Sequence, residues 1–385
     1  MRVLDIIYVL AIFNVFYLTP LSIYANIIML VPILIGITKL RWGYYRSNFF
    51  IKILIAIISL NVVAIFFVSK GSILDCLIGM QSLLAGFASL YFWHKYRSNA
   101  SSFQRIILQA SAIYIFILSV LVITDIKYIY TSPLSNSVIE YSQSKLSRDM
   151  LYFLFMYFLS KISIGKSPLL FSIGFIALII VSQYRDIQRG DIIVLIPFIF
   201  WTLYKVFGQT LGVVFVCLSG IIALFVILGP TGVNLPTKFS EIGLLFDSSQ
   251  HSKIEDPSLF VRLKEIEFAV HSMENHPFIG HGFLRGSTLN QLTGEYFYPS
   301  DIGIWGVYYR LGLLCVPLYL IVVRHTMRLR LLVGVTNPYF MFALFYLLYT
   351  VKDGSFFNYI GPFGVIYACA NCSDDGSLRP RKNVN

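Results

Sequence analysis

The longest polar interval of the chain, Gly229–Pro299, lies between two apolar runs, LGVVFVCLSGIIALFVIL (Leu211–Leu228) and IGIWGVYYRLGLLCVPLYLIVV (Ile302–Val323). Each run is long enough to cross the apolar core of a bilayer as a helix, which takes about 20 residues. A protein that places one long polar loop between two membrane spans often carries its chemistry in that loop. The interval therefore indicates a membrane protein with one large external loop.

The composition indicates the same class. Hydrophobic residues make up 57% of the 385 residues and charged residues only 13%, whereas soluble domains carry about 25% charged residues. The apolar runs predict an all-α, polytopic integral membrane protein with about twelve transmembrane helices. The predicted spans are 3–18, 21–38, 50–69, 73–93, 106–123, 149–160, 167–182, 191–207, 211–228, 302–323, 336–350 and 355–371.

These spans divide the chain into four predicted parts. Residues 1–228 form a membrane domain of about nine helices, and residues 229–301 form the large external loop. Residues 302–371 return to the membrane, and residues 372–385 form a cytoplasmic tail. No cleavable signal peptide is expected, because the first apolar run lacks a small-residue cleavage site.

The distribution of lysine and arginine predicts the orientation, because short cytoplasmic segments are enriched in both residues. With the N-terminus inside, the short inside segments hold most of the basic residues, whereas the short outside turns hold only Lys70 and Lys352. The inside set includes Lys39, Arg41, Arg46, Lys52, Lys95, Arg97, Arg105, Arg324, Arg328, Arg330 and Arg379. Both termini are therefore predicted to be cytoplasmic, and the 229–301 loop is predicted to face outward.

The net charge of +11 follows mainly from this bias, with a few further arginines on the outer side. The basic residues form no continuous stripe on a soluble domain, so nucleic acid is not expected as a partner. The outer loops carry no carboxylate pair with metal-ligand spacing, and no nucleotide-binding motif occurs. We therefore expect no cofactor, and we expect activity to survive chelation of metal ions.

The large loop contains one predicted amphipathic helix. Asp256 and Pro257 are typical of a helix N-terminus, and Asn275-His276-Pro277 is typical of its end. Apolar residues at helical spacing predict a face against the membrane or the spans, formed by Leu259, Phe260, Leu263, Ile266, Val270 and Met273. Arg262 lies in the first turns of this helix, either on a solvated face or as part of an anion site.

The residues after this helix carry a family resemblance. The pattern NHPFIGHG (Asn275–Gly282), followed by a span that contains Tyr309-Arg310-Leu311-Gly312-Leu313-Leu314, resembles the C-terminal module of the O-antigen polymerase and O-antigen ligase superfamily. The resemblance covers roughly residues 180–325. It implies a bacterial inner-membrane glycosyltransferase of GT-C-like architecture with one large periplasmic loop. The implied substrate is an oligosaccharide linked to undecaprenyl diphosphate, and the resemblance allows a chain-length regulator as partner.

The same resemblance implies an arginine clamp on the diphosphate. The turn Tyr184–Asp191 contains Arg185 and Arg189, and Arg189-Gly190 fits a pair that opens an outer span end in the family. Arg262 and Arg310 complete the predicted diphosphate-binding set, because planar guanidinium groups bind phosphate oxygens bidentately. Arg310 lies inside a predicted span, where arginine is rare unless it faces a protein interior or a water-filled cavity.

The catalytic base is open among four residues. Ligases of the family carry a His-Asn motif shortly before the Gly of the Leu-Gly-Leu-Leu segment, and the corresponding position here is Asp301. This departure favours a polymerase over a ligase. Asp301 is either the base or only the N-cap of the following span, and His281, Glu295 and His276 compete with it. A lipid-linked oligosaccharide flippase is a further alternative, although the chain shows no internal repeat.

Overall fold

The computed structural model describes residues 2–15, 22–38, 49–124, 128–131, 138–141, 148–165, 168–183, 194–206, 208, 257–284, 297–299, 302–358 and 360–372. These residues are almost entirely helical, and the all-α prediction is confirmed for them. The described strands are β1 (Tyr128–Thr131) and β2 (Val138–Tyr141), an antiparallel pair in which Tyr128 lies opposite Tyr141. This ribbon belongs to the predicted outer loop 124–148.

The helices follow one another along the chain in this order. The first half contains α1 (Arg2–Ile12), α2 (Ser22–Thr38), α3 (Phe49–Val63) with a π-helix (Ala64–Val68), α4 (Ile73–Gly79), α5 (Gln81–Leu84), a 3₁₀ turn (Ala85–Phe87), α6 (Ala88–Tyr96) and α7 (Ala100–Thr124). The second half contains α8 (Asp149–Ser163), α9 (Pro168–Gln183), α10 (Val194–Val206), α11 (Pro257–Ser272), α12 (Ile304–Leu311), α13 (Cys315–Val333), α14 (Pro338–Asp353), α15 (Ser355–Asn358) and α16 (Ile360–Asn371).

Two segments predicted as single spans are broken in the structure. The 302–323 segment divides into α12 and α13 at Gly312, whose φ of 67° ends the first helix. The 73–93 segment divides into α4, α5, a 3₁₀ turn and α6. Hydropathy alone does not register these breaks, because the residues on both sides of each break are apolar. The predicted span 211–228 lies outside the described residues.

Helix α14 lies at the centre of the bundle, and its sequence defines both of its ends. The Asn337 side chain accepts hydrogen bonds from the backbone N–H groups of Tyr339 and Phe340, and Pro338 occupies the first turn. Gly354 ends the helix in the left-handed conformation, as glycine commonly does after a helix. Nearly every residue from Pro338 to Thr350 is buried, so α14 is a core element that packs against α8, α13 and α16.

A buried ionic cluster joins α1 to α6. The carboxylate of Asp5 is wholly buried and accepts hydrogen bonds from Lys95 Nζ at 2.7 and 2.8 Å and from the Tyr91 hydroxyl at 2.6 Å. The Tyr96 hydroxyl also donates to it. The contact places the start of α1 and the end of α6 at the same end of the bundle, where both were predicted to be cytoplasmic.

The outer surface of the bundle is strongly apolar. On α9, Leu169, Leu170, Ile173 and Ile176 are between 56% and 75% exposed, and their spacing puts them along one side of the helix. Soluble monomers rarely expose apolar patches of this kind. Two described segments, Phe49–Val68 and Ala100–Val120, are long and apolar enough to cross a membrane. These properties fit association with a membrane.

Candidate functional site

The Pro277–Leu284 segment runs beside the C-terminal end of α12. The His281 N–H donates to the Tyr309 carbonyl, and the Gly282 N–H donates to the Arg310 carbonyl, each at 2.8 Å. The Leu313 N–H donates to the Pro277 carbonyl at 2.8 Å. The two pieces of sequence that carry the family resemblance therefore form one structural unit. We call this unit, residues 277–284 with residues 309–314, the motif junction.

Glycines allow the two backbones of the motif junction to approach each other closely. A Cβ atom on Gly280 would lie 2.4 Å from the Tyr309 carbonyl oxygen, and one on Gly312 would lie 2.3 Å from the Phe278 carbonyl oxygen. Gly282 and Gly312 also have φ angles of 81° and 67°, which L side chains rarely adopt. The glycines at these positions are thus explained by packing within the junction.

A third element, the C-terminal end of α3, completes the junction. The Asn61 side chain is wholly buried, and its Oδ1 accepts a hydrogen bond from the Phe283 N–H at 2.6 Å. Its Nδ2 has no hydrogen-bond partner among the described residues. The π-helix that follows brings the Ser69 hydroxyl within 2.7 Å of the His281 carbonyl, to which it donates. Short π-helical turns of this kind are frequent at functional sites.

The His281 imidazole lies inside this unit with both ring nitrogens near protein oxygens. Its Nε2 lies 3.2 Å from the Ser272 carbonyl, and its Nδ1 lies 3.4 Å from Ser69 Oγ. Because a carbonyl only accepts hydrogen bonds, Nε2 carries the hydrogen in the neutral ring, and Nδ1 carries the lone pair. The ring also stacks on Tyr309 with centroids 4.7 Å apart.

The surroundings of His281 favour its neutral form. Burial lowers the pKa of the imidazole below its usual value, the Ser272 carbonyl partly offsets this change, and the neighbouring His276 lowers the pKa further. Desolvation disfavours the charged imidazolium, as it does for any partly buried histidine. The neutral ring can accept a proton at Nδ1, which is the property that a general base requires.

Arg310 occupies a different place from the one predicted. It lies in the last turn of the short helix α12, and not deep within a continuous span. Its guanidinium donates a hydrogen bond to Asn358 Oδ1 and lies over the Phe283 ring, 4.8 Å from the centroid. Asn358 Nδ2 in turn donates to the Asp353 carbonyl at 2.7 Å. The structure therefore holds a half-buried cation over Phe283 in the motif junction, at one end of the bundle.

Helix α11 begins at Pro257 as predicted, and the predicted apolar face is buried in part. Met273 is buried and Ile266 packs against a buried cluster, as predicted, whereas Val270 is 41% exposed. Glu265 and Ala269, which were not in the predicted face, are also buried. The Glu265 carboxylate accepts a hydrogen bond from the Tyr298 N–H at 3.0 Å, which offsets part of the cost of its burial. Arg262 is exposed, so its charge is more strongly screened by solvent than the charge of Arg310.

Four predicted site residues, Asp301, Glu295, Arg185 and Arg189, lie outside the described residues. The structure nevertheless changes one expectation about the helix that follows Asp301. Helix α12 begins at Ile304 with Gly303 at its N-cap position and without a side-chain cap. Gly303 has a φ of 57°, and a Cβ atom there would lie 2.3 Å from the Lys352 carbonyl oxygen. The predicted N-cap is therefore two residues too early.

Sequence reasoning missed Asn61, Ser69, Glu265 and Asn358. A usable signal existed for Asn61, an amide inside an otherwise apolar helix. Among the described ranges, no group of three or more His, Cys, Asp or Glu side chains is placed to hold a metal ion. The expectation of metal-independent activity stays a prediction.

Comparison with known proteins adds no assignment. No family model matches this chain, and no curated protein matches it. The resemblance to the polymerase and ligase superfamily therefore depends on the motif residues themselves. The geometry of the motif junction accounts for why the two short pieces of that motif occur together in one chain.

Proposed function

We propose that this chain is a polymerase of O-antigen or a related surface polysaccharide in a bacterial inner membrane. It transfers a glycan from undecaprenyl diphosphate to a sugar hydroxyl of another lipid-linked repeat unit on the periplasmic face. The observation that carries the proposal is the motif junction, which contains a half-buried arginine, Arg310, and a histidine, His281, whose burial favours the neutral ring. An arginine can bind the oxygens of a diphosphate, and a neutral histidine can accept the proton of a sugar hydroxyl.

The proposed membrane arrangement has about twelve spans, with both termini in the cytoplasm. The apolar stripe on α9 and the shared position of Asp5 and Lys95 support it. Asp5 and Lys95 mark one end of the bundle. Helix α3 runs from that end to Ser69, which contacts His281, so the motif junction lies at the opposite end. That end is periplasmic in the proposed arrangement, as is the 229–301 loop.

The leaving group of the reaction is undecaprenyl diphosphate. Negative charge develops on it as the glycosidic bond to the donor sugar breaks, and fixed cations in a partly dry site stabilise that charge without a metal ion. Arg310 is the central cation of the proposed clamp, with Arg185, Arg189 and Arg262 as further members. The hydrogen bond of Arg310 to Asn358 and its contact with Phe283 fix the direction of its guanidinium group.

The base takes the proton of the acceptor hydroxyl as that oxygen attacks the anomeric carbon. His281 suits this role because burial keeps the ring neutral and the Ser272 carbonyl assigns the lone pair to Nδ1. Asp301 and Glu295 are the competing bases. In-line attack opposite the diphosphate predicts inversion at the anomeric carbon.

The decisive experiment is reconstitution of the purified protein in liposomes with a defined lipid-linked repeat unit. Extension to dimers and longer products supports the proposal, and the same preparation with His281→Gln should lose about 10²–10⁴-fold in rate if His281 is the base. Full activity of that variant would transfer the role to Asp301 or Glu295. Movement of the repeat unit across the bilayer without extension would indicate a flippase instead, and transfer only to a lipid A-core acceptor would indicate a ligase.

A further inference from the structure

A cavity of about 210 Å³ lies between the end of α1, helix α2, the α4–α5 turn and the start of α16. It lies at the same end of the bundle as the motif junction. Gly79 lines the cavity, and a Cβ atom on Gly79 would lie 1.6 Å from the Phe283 carbonyl oxygen. The backbone that lines the cavity is therefore in direct contact with the backbone of the junction.

The polar lining of the cavity is uncharged. Asn14, Asn26, Gln81 and Ser82 contribute to it, and among the described residues the lining contains no Lys, Arg, His, Asp or Glu. Within the described part of the chain, none of the three amide side chains has a hydrogen bond to another protein group. Each amide offers two donors and one acceptor, so the cavity can bond a ligand that carries both kinds of group.

Two of the three amides, Asn26 and Gln81, are exposed, so a ligand can reach them. On the same helix as Asn26, the apolar side chains of Tyr24, Ile27 and Leu30 are between 47% and 64% exposed. Asn26 therefore places a polar group on an otherwise apolar stretch of α2, where a polar ligand in the cavity could bond to it.

We propose that this cavity binds one uncharged sugar residue of the lipid-linked glycan; the choice of a sugar rests on the proposed function. Three properties lead to this ligand class. Paired donors and acceptors match sugar hydroxyl or acetamido groups, and the described lining residues are uncharged, as suits a neutral ligand. The volume is below the roughly 300–1,000 Å³ of pockets for drug-sized ligands, which restricts the site to about one ring.

The test uses the lipid-free repeat unit, released from its diphosphate, of the polysaccharide made by the cells that carry this protein. Its binding to the purified protein in nanodiscs is measured by calorimetry and by saturation-transfer NMR. Gln81→Leu and Asn26→Leu should each weaken binding about tenfold, as expected for the loss of one or two hydrogen bonds. The matched control is Gln109→Leu, an exposed glutamine on α7 outside the cavity, which should bind like the wild type.

The outcomes separate the cavity from the proposed function. If Gln81→Leu weakens glycan binding but the wild-type protein does not polymerise the repeat unit, the cavity site is supported and the polymerase function is rejected. If both cavity variants bind the glycan as the wild type does and polymerise with an unchanged KM, the cavity site is rejected and the polymerase function is supported. The protein could instead bind undecaprenyl phosphate and not the glycan, with that binding lost in the variants. This result would also overturn the proposal, because the occupant of the cavity would then be the lipid. Equal thermal unfolding temperatures of the variants and the control exclude misfolding as the cause.

Discussion

Two polar clusters lie at opposite ends of this apolar bundle, and they differ in how completely their groups are satisfied. At one end, the Asp5 carboxylate is wholly buried and bonded to Lys95, Tyr91 and Tyr96. At the other end, the motif junction keeps a half-buried cation at Arg310, a half-buried imidazole and an Asn61 amide nitrogen without a partner among the described residues.

The difference distinguishes a structural cluster from a candidate functional site. A fully bonded carboxylate has little capacity left for substrate, and its removal should affect folding more than chemistry. A buried amide nitrogen without a partner among the described residues, next to a π-helix and glycines with positive φ, is typical of a functional site.

Replacing Gly312 with alanine should have the largest effect. Its φ of 67° costs an alanine about 1–2 kcal/mol, and the added Cβ would lie 2.3 Å from the Phe278 carbonyl, which forces the junction apart at a further cost of about 1–3 kcal/mol. We expect a loss of transfer activity of about 10³-fold, measured on detergent-purified protein.

Gly334→Ala is the matched control. Gly334 has a φ of 84°, but a Cβ atom there would meet no atom within 4 Å. This variant should therefore lose only the backbone strain energy of about 1–2 kcal/mol in stability and keep its activity. Equal activity losses in both glycine variants would show that strain, and not the close approach within the junction, explains Gly312.

Arg310→Ala should lower the transfer rate by about 10²–10³-fold, as expected when a donor to a developing anion is removed. Arg310→Lys should recover little of the rate, because lysine keeps the charge but lacks the planar fork that bonds Asn358 and phosphate oxygens. Arg328→Ala, an exposed arginine on α13, serves as the control and should be fully active. Normal polymerisation by Arg310→Ala would reject the diphosphate clamp.

Lys95→Met should act on stability and leave the chemistry unchanged. It leaves the Asp5 carboxylate buried without its cation, and breaking a buried pair costs about 3–5 kcal/mol; we expect about 3 kcal/mol because the Lys95 side chain is 27% exposed. Adding Asp5→Asn in the double variant should restore most of the loss. A variant with normal thermal stability but reduced activity per folded molecule would reassign this cluster to function.

Sequence reasoning predicted features that depend on local chemistry. The start of α11 at Pro257 follows from the Asp-Pro pair, and the helical class follows from the length of the apolar runs. It placed Arg310 in a continuous span because hydropathy does not register the break at Gly312. That break depends on a tertiary contact, the hydrogen bond between Leu313 N–H and the Pro277 carbonyl.

The residues that build the candidate site show the same limit. The motif pieces around Gly280 and Gly312 were recognised as a pair by resemblance, but the sequence offered no reason why they should meet. Ser69 and Asn358 reach the junction from helices distant in sequence, so no spacing rule could find them. Glu265 is buried on α11 and accepts a hydrogen bond from the Tyr298 N–H, and no spacing along the chain predicts that contact.

The pH dependence of stability should distinguish the two ends further. The pKa of His281 is lower in the folded protein than its value of about 6.5 in the unfolded chain, so the unfolded state binds more protons between these two values. Stability is therefore complete above about pH 6.5, falls as the pH decreases toward the folded pKa, and levels off below it. His281→Gln should remove this loss in thermal unfolding scans. An unchanged profile would show that His281 is not desolvated.

Arg262→Ala should have the smallest effect, and the effect should depend on salt. Arg262 is exposed on α11, so its attraction for a diphosphate acts through solvent and is screened over about 10 Å at 0.1 M salt. We expect the rate to fall about tenfold or less at low ionic strength, and the variant to match the wild type near 1 M salt. The deficit of Arg310→Ala should persist at both salt concentrations, because half-buried groups are screened much less.

Arg105→Ala removes an exposed arginine on α7 at the predicted cytoplasmic end, and it should show no change in rate at either salt concentration. A salt-independent deficit of Arg262→Ala as large as that of Arg310→Ala would mean that Arg262 becomes buried against the substrate, which would extend the site onto the outer face of α11.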